Sequence, residues 1–298
     1  MTLARDTKIG IIGLGRLGAA SAEVFQRSGY ELVAVSARSD VSRRRAEKCI
    51  PNIPILCPQE VAERADCIIL TVPDDAISAV SDEIVAAGAI VAGDLVVHLS
   101  GRCGLDVLGS ARMVSAIPLA CHPAMTFAGT DEDANLLASS PFGITSLPEH
   151  KHYAEGFVQA IGGNPVWIPD EKRTMYHAAM VFGANNLISL VATSIQAMKA
   201  AGIDDAGRFL APILRASLEN AIVLGPKALT GPVRRGDVGT VVGHIKALRE
   251  EMPGLITGYV DFARFTAEMA LNEELNAPEI LHKVLATLRH VNTSEQGD

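Results

Sequence analysis

The sequence predicts an α/β fold: a doubly wound, mostly parallel sheet in the N-terminal part, followed by an all-helical C-terminal domain. Three observations carry this prediction. A short apolar run, residues 8–12, leads straight into Gly13-Leu14-Gly15-Arg16-Leu17-Gly18 and an Ala-rich segment. That is the strand, glycine turn and helix of a Rossmann-type dinucleotide-binding unit. Strand and helix patterns then alternate to about residue 168, as a parallel sheet covered on both faces requires. Beyond Pro169-Asp170 no comparable strand pattern returns. The boundary is therefore placed there, with residues 1–169 as the dinucleotide-binding domain and 170–298 as a helical domain for substrate binding and dimerisation.

Taken in order, the first strand is residues 8–12 and the first helix 19–28. The three motif glycines differ in what they allow. Gly13 permits the tight turn, Gly15 lets a pyrophosphate approach the backbone, and Gly18 lets helix and strand pack closely. The helix N-terminus then offers free N–H groups and the positive end of its dipole to the phosphates, with Leu14, Arg16 and Leu17 completing the loop. An ordinary glycine-rich turn is the alternative. The second strand, 31–36, ends in Ser36-Ala37-Arg38-Ser39. NAD-binding sheets usually place an acidic residue here for the ribose 2′-hydroxyl. Ser36, Arg38 and Ser39 instead offer donors and a positive charge suited to a 2′-phosphate, so NADP is preferred to NAD. Arg43, Arg44 and Arg45 either add to that site or form a solvated helix face.

Further strands are expected at 66–72, 94–99, 113–118, 143–146 and 165–168, with helices including 42–49, 59–64 and 75–87. Val72-Pro73 closes the third sheet strand beside the cofactor, and Asp74 or Asp75 is expected to cap the next helix. Ser100 follows the strand 94–99 and opens on the same crevice, whereas His98 reads as a packed strand residue. His122 is placed just past the end of the strand 113–118, where it either donates to a substrate oxygen or bonds loop backbone. The second half reads as helices over 173–201, 205–224, 238–251, 255–271 and 278–290, punctuated by Gly202, Gly225-Pro226, Pro253-Gly254 and Ala277-Pro278. The first of these would run about 40 Å and is apolar on more than one face, which suggests burial on several sides or between subunits.

That helix carries Tyr176, His177, Asn185 and Asn186. On an ideal helix His177 and Asn185 lie about 12 Å and about 80° apart, so they can line successive parts of one groove. His177, His122 and Asn185 are the candidate catalytic residues; packing is the alternative for His177, and capping of a nearby loop for the two amides. Thr230 to Thr240 reads as a rigid polar loop between helices, with Asp237 capping the helix that follows. There Arg234 or Arg235 could bind a substrate carboxylate, unless the arginine pairs with Asp237, and Thr230 and Arg234 are candidate substrate-binding residues. Tyr176 and Asn186 complete the candidate substrate-binding set.

The bulk properties exclude several classes. A chain of 298 residues, 48% apolar, has ample core, and its net charge of −8 gives no electrostatic reason to expect nucleic acid or an anionic membrane. The apolar runs are broken by charges, Gly or polar residues, so no membrane span is expected, nor is a signal segment evident. The five cysteines form no C-x-x-C pair and fit reduced thiols in a cytoplasm. His and Cys lack ligand spacing, so no metal is expected.

Five stretches together carry a resemblance: 13–18, 72–77, 98–101 with 122–127, 176–179 through 185–186, and 228–237. On these the chain resembles the small Rossmann-like oxidoreductases of the 6-phosphogluconate dehydrogenase superfamily. It looks closest to a largely uncharacterised bacterial group labelled as related to deazaflavin-dependent NADP oxidoreductases. The match runs roughly from residue 8 to 248. It implies an NADP-binding N-terminal domain and a helical C-terminal domain that often dimerises. There is one departure. Hydroxy-acid dehydrogenases of the superfamily place a Lys acid/base one turn before an Asn on the long helix; here Asn186 matches the Asn but Phe182 stands where the Lys belongs. A sugar-acid or β-hydroxyacid dehydrogenase of that type is therefore not expected. The expected activity is NADPH-dependent reduction of a small carbonyl or imine, carboxylate-bearing, of keto-acid or pyrroline-carboxylate type. A prephenate-dehydrogenase-like reaction, suggested by His122-Pro123-Ala124-Met125, is the weaker enzyme option. The alternative from another class is a non-catalytic NADP-binding sensor or scaffold subunit.

Overall fold

The computed structural model describes residues 3–293, and the chain forms two compact units, one ending at Asn186 and the other beginning at Leu187. The first contains strands β1 (Lys8–Ile12), β2 (Glu31–Ser36), β3 (Cys67–Leu70), β4 (Leu95–His98), β5 (Ile117–Pro123), β6 (Pro141–Thr145) and β7 (Asn164–Trp167). They form one sheet in the order β2-β1-β3-β4-β5-β6-β7, parallel throughout except for the antiparallel pair β5–β6. The reversal of order at β1 opens a crevice beyond the C-terminal ends of β1 and β3.

The strands are apolar runs because both faces are covered. Along β3, Cys67 and Ile69 enter one core while Ile68 and Leu70 enter the other. Helices α1 (Arg16–Arg27) and α7 (Lys151–Ala160) supply the first core with Phe25 and Phe157; α3 (Pro58–Ala62), α4 (Ile77–Ala86) and α5 (Gly109–Met113) supply the second with Val61, Ile84 and Ala111. Between α1 and α3 runs α2 (Asp40–Cys49), and α6 (Asp133–Ser139) precedes β6.

One strand differs from the sequence expectation. Met113 ends α5 and is exposed, Ser115 takes a left-handed turn at φ 63°, and the strand runs from Ile117 to Pro123. His122 therefore lies inside β5, opposite Gly143 of β6, and not beyond a strand end. The apolar pair Met113-Val114 imitates a strand start, while the antiparallel neighbour that extends β5 through a proline is invisible locally.

The switch from alternating strand and helix to helices alone falls after β7, close to residue 169, but the first compact unit continues through α8 (Arg173–Met180) to Asn186. The buried side chain of Arg173 ties α8 to the sheet. A five-residue π turn, Val181–Asn185, follows and leads into α9 (Asn186–Ala200). The helical run Asp170–Ala200, 31 residues, contains an 18-residue window of mean hydropathy 1.5, so by length and composition alone it could cross a membrane, where the sequence suggested no such run.

The second unit adds α10 (Ala206–Leu224), α11 (Gly231–Arg235), α12 (Val238–Glu251), α13 (Ile256–Asn272) and α14 (Pro278–Thr293). Its core is small: Val241 and Ile245 of α12, Val260 and Ala267 of α13, and Val284 of α14 among others. The segment 230–240, expected to be a loop, is mostly helical. Pro232 starts α11 and Gly236, at φ 73° and hard against Ile280, ends it. Asp237 caps α12 as anticipated, accepting from Thr240 N at 3.0 Å. No residue of α9 is buried, and on α10 Phe209, Ile213, Ile222 and Val223 are all exposed.

Candidate functional site

The glycine turn occupies the crevice at the sheet's order reversal. Gly13 has φ 95°, a conformation side chains rarely adopt, and its N–H donates to Ser36 O at 3.1 Å. A Cβ there would also lie 2.9 Å from Val72 Cγ1. A Cβ on Gly18 would collide with the carbonyl oxygen of Gly13, so α1 packs on the turn at closest approach. A Cβ on Gly15 would meet nothing within 4 Å, leaving open space in front of the loop. Gly15 is also the N-cap of α1 and makes no side-chain cap bond. The first N–H groups of a twelve-residue helix thus face that space without a capping side chain, which suits an anion. The turn acts through its backbone. The Leu14 side chain is fully buried in the core, Leu17 packs half-buried against it, and the exposed Arg16 donates to Phe127 O at 3.2 Å. Thr71, which sequence reasoning missed, donates its hydroxyl to Gly13 O and ties the end of β3 to the loop.

At the end of β2 a cleft of about 630 Å³ is lined by Ser36, Arg38, Arg43, Cys57 and Glu60, among others. Ser36 is itself buried, and Ser39 spends its hydroxyl as the N-cap of α2 in a reciprocal capping box with Ser42. Arg43 bonds Ala37 O at 3.3 Å, and Arg45 bonds Leu14 O at 3.0 Å. Arg38 is exposed at the cleft. Pro73, also exposed, precedes a 3-10 turn whose Asp74 and Asp75 do not cap it; both carboxylates pair with Arg102, Asp74 at 3.3 Å. A basic partner across the crevice competes better for these carboxylates than the short turn does.

A polar cluster is built where β4, β5 and β6 meet α8. Arg173 is completely buried; its guanidinium donates to Ser100 O at 2.6 Å, Thr145 Oγ1 at 3.0 Å and Gly143 O at 3.4 Å. His122 Nδ1 bonds Tyr176 Oη at 2.9 Å, with the rings edge to face, and the His177 ring is 6.1 Å from that of His122. Two glycines make this possible. A Cβ on Gly101 would lie 2.5 Å from His177 Cδ2 and 3.1 Å from His122 Nε2, and one on Gly143 would lie 2.7 Å from Tyr176 Oη. Burial and then the Arg173 charge push His122 down to about 4, so its imidazole is neutral at pH 7. Burial raises Tyr176, which keeps its proton, although Arg173 and a hydrogen bond from the Gly143 backbone work the other way.

His98 is the packed residue the sequence suggested. Ser100 N donates to its Nδ1 at 3.2 Å, so Nε2 carries the hydrogen and donates to Gly104 O at 2.9 Å. Burial first holds it at about 4. Ser100 uses its amide on His98, its carbonyl on Arg173 and its hydroxyl as acceptor from Cys103 N, so it shapes the crevice floor from a buried position.

The structure therefore brings together His122, Tyr176, His177 and Ser100, and adds Arg173, Gly101 and Gly143, which sequence reasoning missed. A signal for Arg173 existed: a cation in the first turn of a helix opposes the helix dipole and needs acceptors from elsewhere. Asn185 and Asn186 fall at the end of the π turn, one exposed and one half-buried. The wider turn voids the ideal-helix angle between His177 and Asn185. In the second unit Thr230 is the exposed N-cap of α11, while Arg234 is half-buried and its carbonyl accepts from Asn276 Nδ2 at 2.8 Å. Among the described residues no group of three or more His, Cys, Asp or Glu could hold a metal.

Comparison with known proteins divides the chain earlier than the compact units do, between residues 123 and 140. The description "Rossmann-like domain" matches residues 2–123, and a domain of unknown function, DUF2520, matches residues 140–265. No curated protein matches the chain. Among solved structures, a candidate NADP oxidoreductase from Bacteroides fragilis shares 23% identity and superposes at TM-score 0.74, covering 89% of this chain and 99% of its own. A reductive aminase from Aspergillus terreus, solved with NADPH and ethyl levulinate, shares 17% at TM-score 0.64, over 93% of this chain and 98% of that one. Pyrroline carboxylate reductase of Plasmodium falciparum, solved with NADP bound, shares 14% at 0.54, over 90% and 100%. These likenesses concern the fold. The chain joins a Rossmann-like domain to a C-terminal stretch that matches DUF2520.

Proposed function

We propose that the protein is an NADPH-dependent oxidoreductase that reduces a small carbonyl or imine bearing a carboxylate. The observation that carries this reading is the open, uncapped N-terminus of α1 behind Gly13 and Gly15, on the same sheet as a half-buried histidine–tyrosine pair. Solved structures of similar fold, a pyrroline carboxylate reductase with NADP bound and a reductive aminase with NADPH, support it. The turn 13–18 would hold the pyrophosphate, Arg38 the 2′-phosphate, and Val72-Pro73 the neighbouring edge. When bound, the cofactor supplies two electrons and a hydrogen to the substrate carbon. The chain's part is to hold the substrate, exclude water and give a proton to the reduced group. Tyr176, His122 and His177 are the candidate donors, Asn185 and Asn186 the amides beside them in sequence, and Thr230 with Arg234 the candidate carboxylate site. The proposal extends to membership of the 6-phosphogluconate dehydrogenase superfamily, beside the group related to deazaflavin-dependent NADP oxidoreductases, and to a cytoplasmic location.

Phe182, exposed where hydroxy-acid relatives carry their lysine, keeps a second reading in view, a non-catalytic NADP-binding sensor or scaffold subunit. Fluorescence titration with NADPH and with NADH, followed by transfer from labelled NADPH to a panel of keto acids and cyclic imines, separates the two. Binding with transfer supports the enzyme, binding without transfer the sensor, and binding of neither cofactor removes both.

We also propose a homodimer through the helical half. None of α9 is buried and α10 exposes a row of large apolar side chains, a face that water does not favour. A second copy suits this face better than a bilayer does, because the helical run Asp170–Ala200 begins with charged residues and has Arg173 buried and bonded to the sheet.

A further inference from the structure

Resting on the reductase reading, we infer that the group reduced at this site is a carbonyl and not an imine, with Tyr176 as the proton donor to its oxygen. The two substrate classes make opposite electrostatic demands. An imine accepts a hydride readily only once its nitrogen is protonated, so its site must welcome a cation before reaction. A carbonyl is neutral before reaction and gathers negative charge on oxygen as the carbon is reduced, so its site must welcome an anion.

The charges around the Tyr176–His122 pair favour the second demand. Behind the pair sits the Arg173 guanidinium, fully buried, bonded to two carbonyls and a hydroxyl and to no carboxylate. Burial lowers Arg173 from a value so high that it stays cationic at neutral pH. Asp170 acts on it from the preceding turn, but one Asp170 oxygen is already engaged by Leu105 N at 3.1 Å. The charged and titratable groups that act on His122 are Arg173 and His177 of α8, His98 of β4 and Asp74 after β3, with Tyr176 of α8 bonded to it. Asp74 is the one carboxylate among them, and its charge is shared with Arg102. The potential at the pair is therefore positive, and the His122 ring does not take up a second proton to become a cation at neutral pH.

The carbonyl carbon would receive two electrons and one hydrogen from a bound reduced nicotinamide. The carbon–oxygen π pair moves onto oxygen, which takes the phenolic proton of Tyr176. His122 replaces that proton from Nδ1 and takes one from solvent at Nε2, the nitrogen beside Gly101 where a side chain is missing. The imidazole stays uncharged throughout, and the product is an alcohol.

Two measurements on the full-length protein test this. The first is an NMR titration of the histidine side chains in wild type and in Arg173→Met and Arg173→Lys. His122 should remain neutral to below pH 5 in wild type and in Arg173→Lys, and titrate higher in Arg173→Met. A wild-type His122 that titrates near 6.5 overturns the inference whatever the variants do. The second compares wild-type kcat/KM, with NADPH, for ketones and cyclic imines of matched carbon skeleton, each carrying a carboxylate. Ketones should lead by at least tenfold, and Tyr176→Phe should abolish that lead while leaving NADPH binding intact. Reduction of imines alone overturns this inference and leaves the reductase reading standing. Reduction of neither, with NADPH bound, overturns the reductase reading and this inference with it.

Discussion

Gly13 and Arg38 are the residues on which the cofactor reading can be checked one at a time. Gly13 sits at φ 95° with its missing side chain facing Val72. Gly13→Ala should lower stability by about 1–2 kcal/mol from the left-handed backbone alone, and should lose dinucleotide binding. Thermal unfolding and a fluorescence titration measure the two effects. Arg38→Ala should weaken NADPH at least tenfold and spare NADH, since only the 2′-phosphate calls for its charge. Equal weakening of both would displace the 2′-phosphate from Arg38. At the same scale, His98 and His122 link stability to pH. Both are held at about 4 in the folded chain, against 6.5 when unfolded. Below 6.5 the unfolded chain binds protons that the folded chain refuses. The stability these histidines contribute is thus present above pH 6.5 and is lost as pH falls from there to about 4. For His98, fully buried, the loss should reach about 3 kcal/mol. Urea denaturation at pH 7 and pH 4.5, in wild type and His98→Asn, measures it; an unchanged slope with pH in the variant would count against this assignment.

At the scale of elements, the parts that build the site are those joined by long-range hydrogen bonds. The strand β5 carries His122 because β6 pairs antiparallel beside it, and α8 carries Tyr176 because Arg173 anchors it to β6 and to Ser100, just after β4. Removing the anchor should loosen the element before it unfolds the sheet. Arg173→Met should therefore raise amide exchange along α8 while β1 to β4 stay protected, as hydrogen exchange can show. The π turn Val181–Asn185 turns the following residues by a different amount from an α-helix. That explains why a helical-wheel argument could place His177 but not Asn185. In the second unit α11 is a helix because Gly236 ends it left-handed against Ile280. Thr230 and Gly236, which looked like parts of a polar loop, are the two caps of that short helix.

For the whole molecule, the unburied apolar helices predict association. Size-exclusion chromatography with light scattering should give a dimer for the wild type. Replacing Phe209 and Ile222 together by Glu should give a monomer, with the fold of the first unit retained by circular dichroism. A wild-type monomer at micromolar concentration would remove the dimer proposal.

Much of the architecture was legible in the sequence. The glycine turn, the alternation of strands and helices and their loss after residue 168 all depend on local chemistry: positive φ at Gly13, apolar runs buried on two faces, and glycine and proline at helix ends. Local signals also marked His122, Tyr176 and His177 as candidates without saying that they meet. Only tertiary structure decided that His122 lies within a strand and bonds Tyr176, that Arg173 is the charge beneath them, and that Asp74 and Asp75 answer to Arg102. The physical reason is range. A turn or a cap is settled by residues three or four apart, whereas the His122–Tyr176 bond joins positions 54 apart and the Arg173–Ser100 bond positions 73 apart. Such partners are chosen by how the sheet orders its strands, which no single stretch of the chain encodes.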